Sequence, residues 1–278
     1  MAKSATPADL QIKPRDLHID REAPTPRWWL NGDPFGTAVM NALSLTFPDG
    51  ERFFIQSVKR FAKDAPPALA ADIRAFTVQE GAHTREHMAF NAITESAGYD
   101  TAEIEAYVTA RLDIARARPA LAQLAATMAL EHFTAAFAHR LLADPELLKG
   151  SPHDLARLWR WHSIEEIEHK GVAYDVFLHA TRDLSPLKRW RIRRWAMFLT
   201  TLLFTRTVRE TTFMLLKQDG IVGWRARLGL FRWLWLKPGL YRRMIGDYLA
   251  FYKPDFHPWQ VDDRDLIADA EAGLAQPA

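Results

Sequence analysis

The chain has 278 residues, of which 48% are hydrophobic and 25% are charged; its net charge is +2 and it contains no cysteine. This composition supports a buried core and excludes global disorder, disulfide bonds, thiolate metal ligands and a cysteine nucleophile. A transition metal would have to be held by histidine and carboxylate groups, which suits iron, manganese or zinc.

The first 25 residues are predicted to be a disordered leader, because they contain no apolar segment of the signal-peptide type. No stretch of about 18 uncharged apolar residues follows, so a membrane-spanning helix is not expected. The lack of cysteine is compatible with the cytoplasm, and we expect a cytoplasmic protein.

Proline and glycine separate segments whose apolar residues recur at helical spacing. The predicted helices are 36–63 with a break at 47–50, 67–97, 100–143 with a break at Pro119, and one starting after Ser151-Pro152 and reaching about 180. Ser151 is expected to be the N-cap of that last helix. Two more helical stretches, 187–218 and 224–250, follow, and the acidic tail after Asp262 is expected to be loose.

The second and fourth of these helices carry acids and histidines inside their apolar stripes. Glu80, His83 and His87 project from one face of the second helix, because a helix advances about 100° per residue. In the fourth helix, His162, Glu166 and His169 fall within one sector of about 60°. Both helices therefore contain the spacing Glu-x-x-His on a core-facing side.

The other two helices each contribute one acid to the same kind of stripe, Glu51 in the first and Glu131 in the third. Four neighbouring buried carboxylates are very costly unless cations compensate them. Two Glu-x-x-His motifs and two single glutamates are the ligand set of ferritin-like two-metal proteins. The sequence thus predicts an all-α fold, a ferritin-like four-helix bundle with additional C-terminal helices, in which Glu51, Glu80, Glu131 and Glu166 are metal-bridging carboxylates at the catalytic centre and His83 and His169 are further ligands.

Two other acids compete with Glu166 for the role of ligand. Glu165 lies four residues before His169, and Glu165 and Glu168 share a helical spacing. Glu166 is preferred because it alone gives Glu-x-x-His and shares a face with His162. We expect Glu165 and Glu168 to bond groups behind the ligands or solvent.

Several segments resemble a bacterial family of predicted metal-dependent hydrolases over about residues 25–255. The segments that carry this resemblance are Trp28-Trp29-Leu30-Asn31-Gly32-Asp33-Pro34, Phe47-Pro48-Asp49-Gly50-Glu51-Arg52-Phe53-Phe54, Gln79-Glu80-x-x-His83 with Glu86-His87 and Asn91, and Trp161-His162-x-x-Glu165-Glu166-x-Glu168-His169-Lys170. The resemblance implies a metal-dependent enzyme, whereas the ligand set itself suits redox iron better than hydrolytic zinc.

The string His162-x-x-x-Glu166-x-x-His169 is similar to the fourth-helix motif of di-iron arylamine N-oxygenases. That similarity implies that His162 is a seventh metal ligand. His87 occupies the corresponding extra position on the second helix. Three roles are open for His87: an eighth ligand, a base that contacts the ligands without binding the metal, or a residue that only packs in the core.

Three functions are compatible with this pattern. The preferred one is a dioxygen-dependent di-iron oxidase or oxygenase, with two iron ions, an unidentified electron donor and a hydrophobic or lipid-like small-molecule substrate; manganese or zinc are alternative metals. The alternative is a binuclear metal-dependent hydrolase. The third is a membrane-associated interaction protein whose metals are structural.

The region 186–245 is strongly basic. It holds 14 Lys and Arg against two acids, a balance of +12, so the remainder carries −10. Five of the ten tryptophans lie there among many apolar residues, a mixture typical of helices at an anionic membrane surface. We therefore expect residues 26–185 to form the bundle, 186–258 an extension that packs on it or lies peripherally at the inner face of a membrane, and 259–278 a flexible tail. The apolar content disfavours nucleic acid as a partner.

Overall fold

The computed structural model describes residues 5–274. The described chain is built from helices and contains no strand, which confirms the all-α prediction. Its α-helices are α1 (Pro34–Lys59), α2 (Pro67–Ser96), α3 (Ala102–Arg116), α4 (Ala120–Ala143), α5 (His153–His169), α6 (Val172–Ala180), α7 (Pro186–Gln218), α8 (Gly223–Phe231), α9 (Leu240–Ala250) and α10 (Arg264–Leu274).

Four of these helices, α1, α2, α4 and α5, with α5 continued by α6, pack side by side as a bundle. Two apolar clusters fill its interior. On α2, Phe76 belongs to one cluster and Phe90 to the other. The polar positions of α2 lie between these two residues, so the bundle encloses a polar layer between two apolar ones.

Helix α1 runs without interruption through Pro48, so the predicted break at 47–50 is wrong. Proline usually disrupts a helix because it has no N–H to donate to the carbonyl four residues earlier. That carbonyl belongs to Ser44, and Asn91 Nδ2 of α2 lies 3.4 Å from it and donates instead. A side chain of the neighbouring helix therefore replaces the missing backbone bond.

The predicted helix 152–180 is divided at Lys170 and Gly171 into α5 and α6. A side chain at Gly171 would lie 2.8 Å from Thr6 Oγ1 and 2.9 Å from Trp259 Cδ1, so the close approach of these groups requires glycine. The N-cap prediction is also wrong. Helix α5 begins at His153, no side chain caps it, and Ser151 Oγ has no hydrogen-bond partner among the described residues.

The predicted disordered leader includes residues 1–4, which lie outside the described residues; residues 5–25 contain no helix or strand, and part of this segment packs against the bundle. Leu17 and Ile19 are buried there. The backbone N–H of Arg15 donates to Glu165 over 2.7 Å, and that of Ile19 donates to Glu86 over 3.1 Å. Buried acids of α5 and α2 thus hold this segment in place.

The region expected to be a loose tail forms α10 as far as Leu274, and residues 275–278 lie outside the described residues. Ile267 of α10 is buried against Ile164 and Ile167 of α5. Just before α10, Asp263 forms a buried ion pair with Lys170 and accepts a hydrogen bond from His139 Nδ1 over 2.9 Å, if that nitrogen is protonated. Apolar packing and an ion pair therefore fix the tail.

The basic region forms α7, α8, a π-helical turn at Arg232–Leu236, and α9. The predicted stretch 224–250 is interrupted at Pro238 and Gly239, where Gly239 adopts φ 73°. Helix α7 packs on α1 and α4. Arg193 is 3% exposed and donates to the Tyr174 hydroxyl and the Lys253 carbonyl, so it is a packing residue.

Within residues 5–274, no helix is both long enough and apolar enough to cross a bilayer.

The contact between Asp263 and Lys170 provides a test of the packed tail. Removing one partner of a buried ion pair leaves an uncompensated charge, so we expect Asp263→Ala to lower the free energy of unfolding by about 3 kcal/mol. The double variant Lys170→Met/Asp263→Leu should recover most of that loss, because two apolar side chains replace the pair. Urea unfolding followed by circular dichroism measures both. Asp262→Ala, which changes the neighbouring exposed acid, is the control and should change the free energy of unfolding only slightly. If Asp263→Ala has the same small effect, the tail does not pack.

Candidate metal centre

The polar layer of the bundle contains all eight predicted ligands. Each of them is at most 4% exposed. They come from four helices: Glu51 from α1, Glu80, His83 and His87 from α2, Glu131 from α4, and His162, Glu166 and His169 from α5. The periodicity of the sequence therefore brings the predicted residues to one place, and whether each binds a metal stays a prediction.

A first group of possible ligands consists of Glu80, His83, Glu166 and His169. One nitrogen or carboxylate oxygen from each residue lies within 4.8 Å of the others, a spacing that fits one metal ion. His169 Nε2 lies 3.2 Å from Glu80 Oε1, and His83 Nδ1 lies 3.6 Å from Glu166 Oε1. This group contains both Glu-x-x-His motifs, one from each of two facing helices.

A second group consists of Glu51, His87 and His162, again with ligand atoms within 4.8 Å of one another. His87 Nε2 and His162 Nδ1 are 2.8 Å apart. On the other side of the His162 ring, Nε2 lies 3.0 Å from Glu166 Oε1. Glu166 therefore connects the two groups. His87 Nδ1 also lies 2.9 Å from Ser44 Oγ, and whether His87 is a ligand stays a prediction.

Glu131 lies outside both groups, although the sequence predicts it as a bridging ligand. Its Oε2 is 3.0 Å from His169 Nδ1. A carboxylate at this distance fixes the orientation of the imidazole ring and leaves the opposite nitrogen, Nε2, facing Glu80. Glu131 Oε1 has no hydrogen-bond partner among residues 5–274, so this oxygen is available to a ligand.

The acids Glu165 and Glu168 lie behind the ligands, as expected from the sequence. Glu165 Oε2 is 3.0 Å from His83 Nε2, which leaves His83 Nδ1 facing the centre. Glu168 accepts hydrogen bonds from the Arg15 guanidinium and, over 2.8 Å, from Gln79 Nε2. Sequence reasoning missed Arg15 and Gln79 as supporting residues, because nothing in the pattern indicates that the leader docks here.

Aromatic rings enclose the possible ligands. Phe76 contacts His169 edge-on with a centroid distance of 4.9 Å, and Trp161 contacts His83 at the same distance. Phe47 stacks on His162 at 4.9 Å with an interplanar angle of 21°. These rings keep bulk water away from the polar layer.

Many polar atoms that face the centre have no hydrogen-bond partner within the described chain. These atoms are both carboxylate oxygens of Glu51 and of Glu80, Oε1 of Glu131, Oε2 of Glu166, Nδ1 of His83 and Nε2 of His169. A buried polar atom left unpaired costs about 1–3 kcal/mol, so such a concentration within one core needs compensation. Divalent cations supply it, and oxygen and imidazole ligands suit Fe²⁺, Mn²⁺ and Zn²⁺. The residues present therefore fit a two-metal centre.

The electrostatics of the polar layer show how strongly its groups interact. Burial, followed by the charge of Glu166, raises the pKa of Glu51 well above its ordinary value. Burial and Glu131 do the same for the pKa of Glu80. Burial opposes ionisation of Glu166 as well, but His169 and His162 lower its pKa to about 2. His169 shows the reverse balance, because Glu131 and Glu166 overcome burial and raise its pKa to about 9.

These shifts predict that metal uptake releases protons. Near neutral pH the metal-free protein holds a proton on His169, and the raised pKa values of Glu51 and Glu80 favour protonated carboxyls, whereas metal ligands must be deprotonated. Affinity for Zn²⁺ should therefore rise as the pH is increased toward the His169 pKa of about 9. Titration calorimetry in buffers of different ionisation enthalpy measures the protons released. Heats that do not depend on the buffer would contradict this balance of charges.

The second ligand group predicts the stoichiometry. We expect about two metal ions per chain, and about one in His162→Ala, because the remaining Glu51 and His87 provide too few ligands for a stable site. Elemental analysis of the reconstituted protein measures this ratio, with circular dichroism to confirm the fold. His153→Ala, which removes an exposed histidine of the same helix, should retain both ions. Two ions in His162→Ala, bound with unchanged affinity, would remove His162 from the ligand set.

Comparison with known protein families gives a match whose description agrees with metal dependence. A family model described as "Predicted metal-dependent hydrolase" matches residues 13–262, a range that includes both ligand groups and the supporting residues Arg15 and Gln79. No curated protein and no solved structure matches the chain, so the ferritin-like type of the bundle stays a prediction. The matched range covers most of the sequence, and the chain belongs to the family of predicted metal-dependent hydrolases.

Proposed function

We propose that this protein is a metal-dependent hydrolase with two divalent ions, one held by each ligand group. The observation that carries the proposal is the position of Glu166 between the two groups, with unpaired atoms of Glu51, Glu80, His83 and His169 facing the same space. Family membership supports the hydrolytic reaction. Two neighbouring ions, when bound, supply Lewis acidity and activate water for attack on an ester, amide or phosphoryl centre.

The protein's own contribution is to hold the ligands in fixed orientations. Glu131 fixes His169 through Nδ1, and Glu165 fixes His83 through Nε2. The backbone N–H of Arg15 in turn holds Glu165. Mutation of such outer residues typically reduces metal affinity or activity by about 10- to 100-fold. Glu131, Glu165 and Arg15 are therefore positioning residues of the proposed enzyme.

A second candidate is the dioxygen-dependent di-iron oxidase or oxygenase predicted from the sequence, with two iron ions. The observation that favours it is that four of the eight candidate ligands are carboxylates, within an aromatic enclosure formed by Phe47, Phe76 and Trp161. A dry site protects a strong oxidant from water. A third candidate is a membrane-associated interaction protein, in which the metals only stabilise the bundle.

Reconstitution separately with Zn²⁺, Mn²⁺ and Fe²⁺ separates these functions. We expect the Zn²⁺ or Mn²⁺ form to hydrolyse p-nitrophenyl decanoate or bis(p-nitrophenyl) phosphate without consuming dioxygen. Glu80→Gln should reduce kcat by about a hundredfold or more, because a metal ligand sustains several kcal/mol of charge stabilisation in the transition state. Glu103→Gln, an exposed acid at the start of α3, is the matched control.

The outcomes that contradict hydrolysis point to the other candidates. Dioxygen consumption after anaerobic loading with Fe²⁺, with no hydrolysis by any metal form, would favour the oxidase or oxygenase. Neither activity, together with a large metal-dependent rise in thermal stability, would favour structural metals. Hydrolysis that is unchanged in Glu80→Gln would show that the reaction occurs elsewhere or is a contaminant.

A further inference from the structure

A large cavity lies beside the metal centre, between α1, α4 and the C-terminal helices α7, α8 and α9. Its volume is about 1330 Å³, somewhat larger than the pockets that usually hold small molecules. Apolar residues dominate its walls, for example Val39, Leu43, Phe137 and Leu230. An apolar space of this size favours an apolar occupant.

One residue of the cavity wall also belongs to the surroundings of the metal centre. Phe47 lines the cavity, and its ring lies 4.7 Å from the His87 ring and 4.9 Å from the His162 ring, measured between centroids. A molecule in the cavity therefore comes within one aromatic ring of the second ligand group. This contact makes the cavity a candidate substrate site.

The cavity also has cations without partners. Arg206, Lys217 and Arg227 line it, are exposed, and make no ion pair or side-chain hydrogen bond with any described residue. Arg209 also lines the cavity, but it is paired with Glu210 over 2.7 Å. Three uncompensated positive charges beside an apolar space match a molecule with an apolar body and an anionic end.

Apolar side chains remain exposed where the cavity meets the surface. Leu202, Phe231, Trp235 and Ile245 line it and are between 37% and 57% exposed. Of the 19 large hydrophobic residues that are exposed on the described chain, 14 lie between Leu187 and Leu249. Exposed apolar groups next to cations form a route by which an amphiphile can enter from solution or from a lipid surface.

We propose that this cavity binds a long-chain anionic amphiphile, a molecule with an extended hydrocarbon chain and one carboxylate or phosphate group. Arg206, Lys217 and Arg227 attract the anionic group, and the apolar walls hold the chain. To be the substrate, the molecule would also have to carry an ester, amide or phosphoester bond for hydrolysis, and a simple carboxylate would be a product. This assignment rests on the proposed hydrolytic function, whereas binding of the amphiphile does not. A nucleic acid would place several charged phosphates beside apolar walls and fits the cavity poorly.

Binding of ten-carbon probes below their micelle concentrations tests the proposal without requiring turnover. Titration calorimetry on the full chain, with and without metal, compares decanoate, decanol and decyltrimethylammonium. We expect saturable binding of about one decanoate per chain and weaker binding of decyltrimethylammonium. The triple variant Arg206→Glu/Lys217→Glu/Arg227→Glu should weaken decanoate by about tenfold or more at low salt. Its affinity for decanol should change by less than about threefold, because decanol carries no charge.

Two control variants separate the cavity from general effects. Arg21→Glu/Arg60→Glu/Arg74→Glu changes the net charge equally at exposed positions outside the cavity and should leave decanoate binding nearly unchanged. Thr134→Trp on α4 narrows the cavity and should weaken both decanoate and decanol. Thr77→Trp is its control, because Thr77, like Thr134, bonds a carbonyl of its own helix. Equal losses in both triple variants, equal affinities for decanoate and decyltrimethylammonium, or no saturable binding would overturn the proposal.

A vesicle arm identifies the source of the amphiphile. If decanoate binds, flotation of the protein is measured with phosphatidylglycerol vesicles and with phosphatidylcholine vesicles. Flotation with the former only, and its loss in Arg206→Glu/Lys217→Glu/Arg227→Glu, would identify an anionic bilayer as the source. Decanoate binding without flotation would identify a free amphiphile, and both results support the site. Absence of saturable decanoate binding overturns it, even if the metal-loaded protein hydrolyses a short soluble ester, so this failure is distinguishable from failure of the proposed function.

Discussion

Four carboxylates lie in the interior of one helical bundle, and their negative charge must be compensated. The rest of this structure depends on that requirement. Glu51, Glu80, Glu131 and Glu166 all lie in the polar layer, where mutual repulsion and burial oppose their ionisation. Without cations, the layer is balanced only in part, by protons on carboxyls and by a charged His169. Bound metal ions would relieve this imbalance directly. The apolar clusters above and below the layer make that relief necessary, because they exclude the water that would otherwise solvate the charges.

A second set of interactions surrounds the candidate ligands. Acids that cannot face the centre are used to orient the residues that do, as Glu165 orients His83. These outer acids are themselves held by the N-terminal segment, through the backbone and guanidinium of Arg15. The order of the leader is thus a result of the charge distribution in the bundle, and the leader in turn limits the positions that the histidines can adopt.

The sequence predicted the features that depend on local periodicity. The helical spacing of Glu80 and His83, and of Glu166 and His169, was sufficient to place these residues on core-facing stripes. Features that depend on contacts between distant segments were not predictable. Pro48 indicates a break unless one knows that Asn91 supplies the missing donor. The close approach of Trp259 to Gly171, which leaves no room for a side chain there, is also a contact between distant segments. The orientation of Glu131 toward His169 depends on how two helices are rotated about their axes, which no single-helix pattern contains.

The position of Arg15 affects the order in which contacts form during folding. This residue joins Glu168 and Glu271, so its contacts span separations of 153 and 256 residues along the chain. Contacts of such long range form late, because the intervening chain must first be ordered. The Arg15 contact with Glu271 of α10 therefore requires both α5 and α10 to be formed and docked near the N-terminal segment. The contacts that fix the Arg15 guanidinium are therefore expected to form after the local helices of the bundle, and the hold of the Arg15 backbone on Glu165, which orients His83, becomes complete only with them.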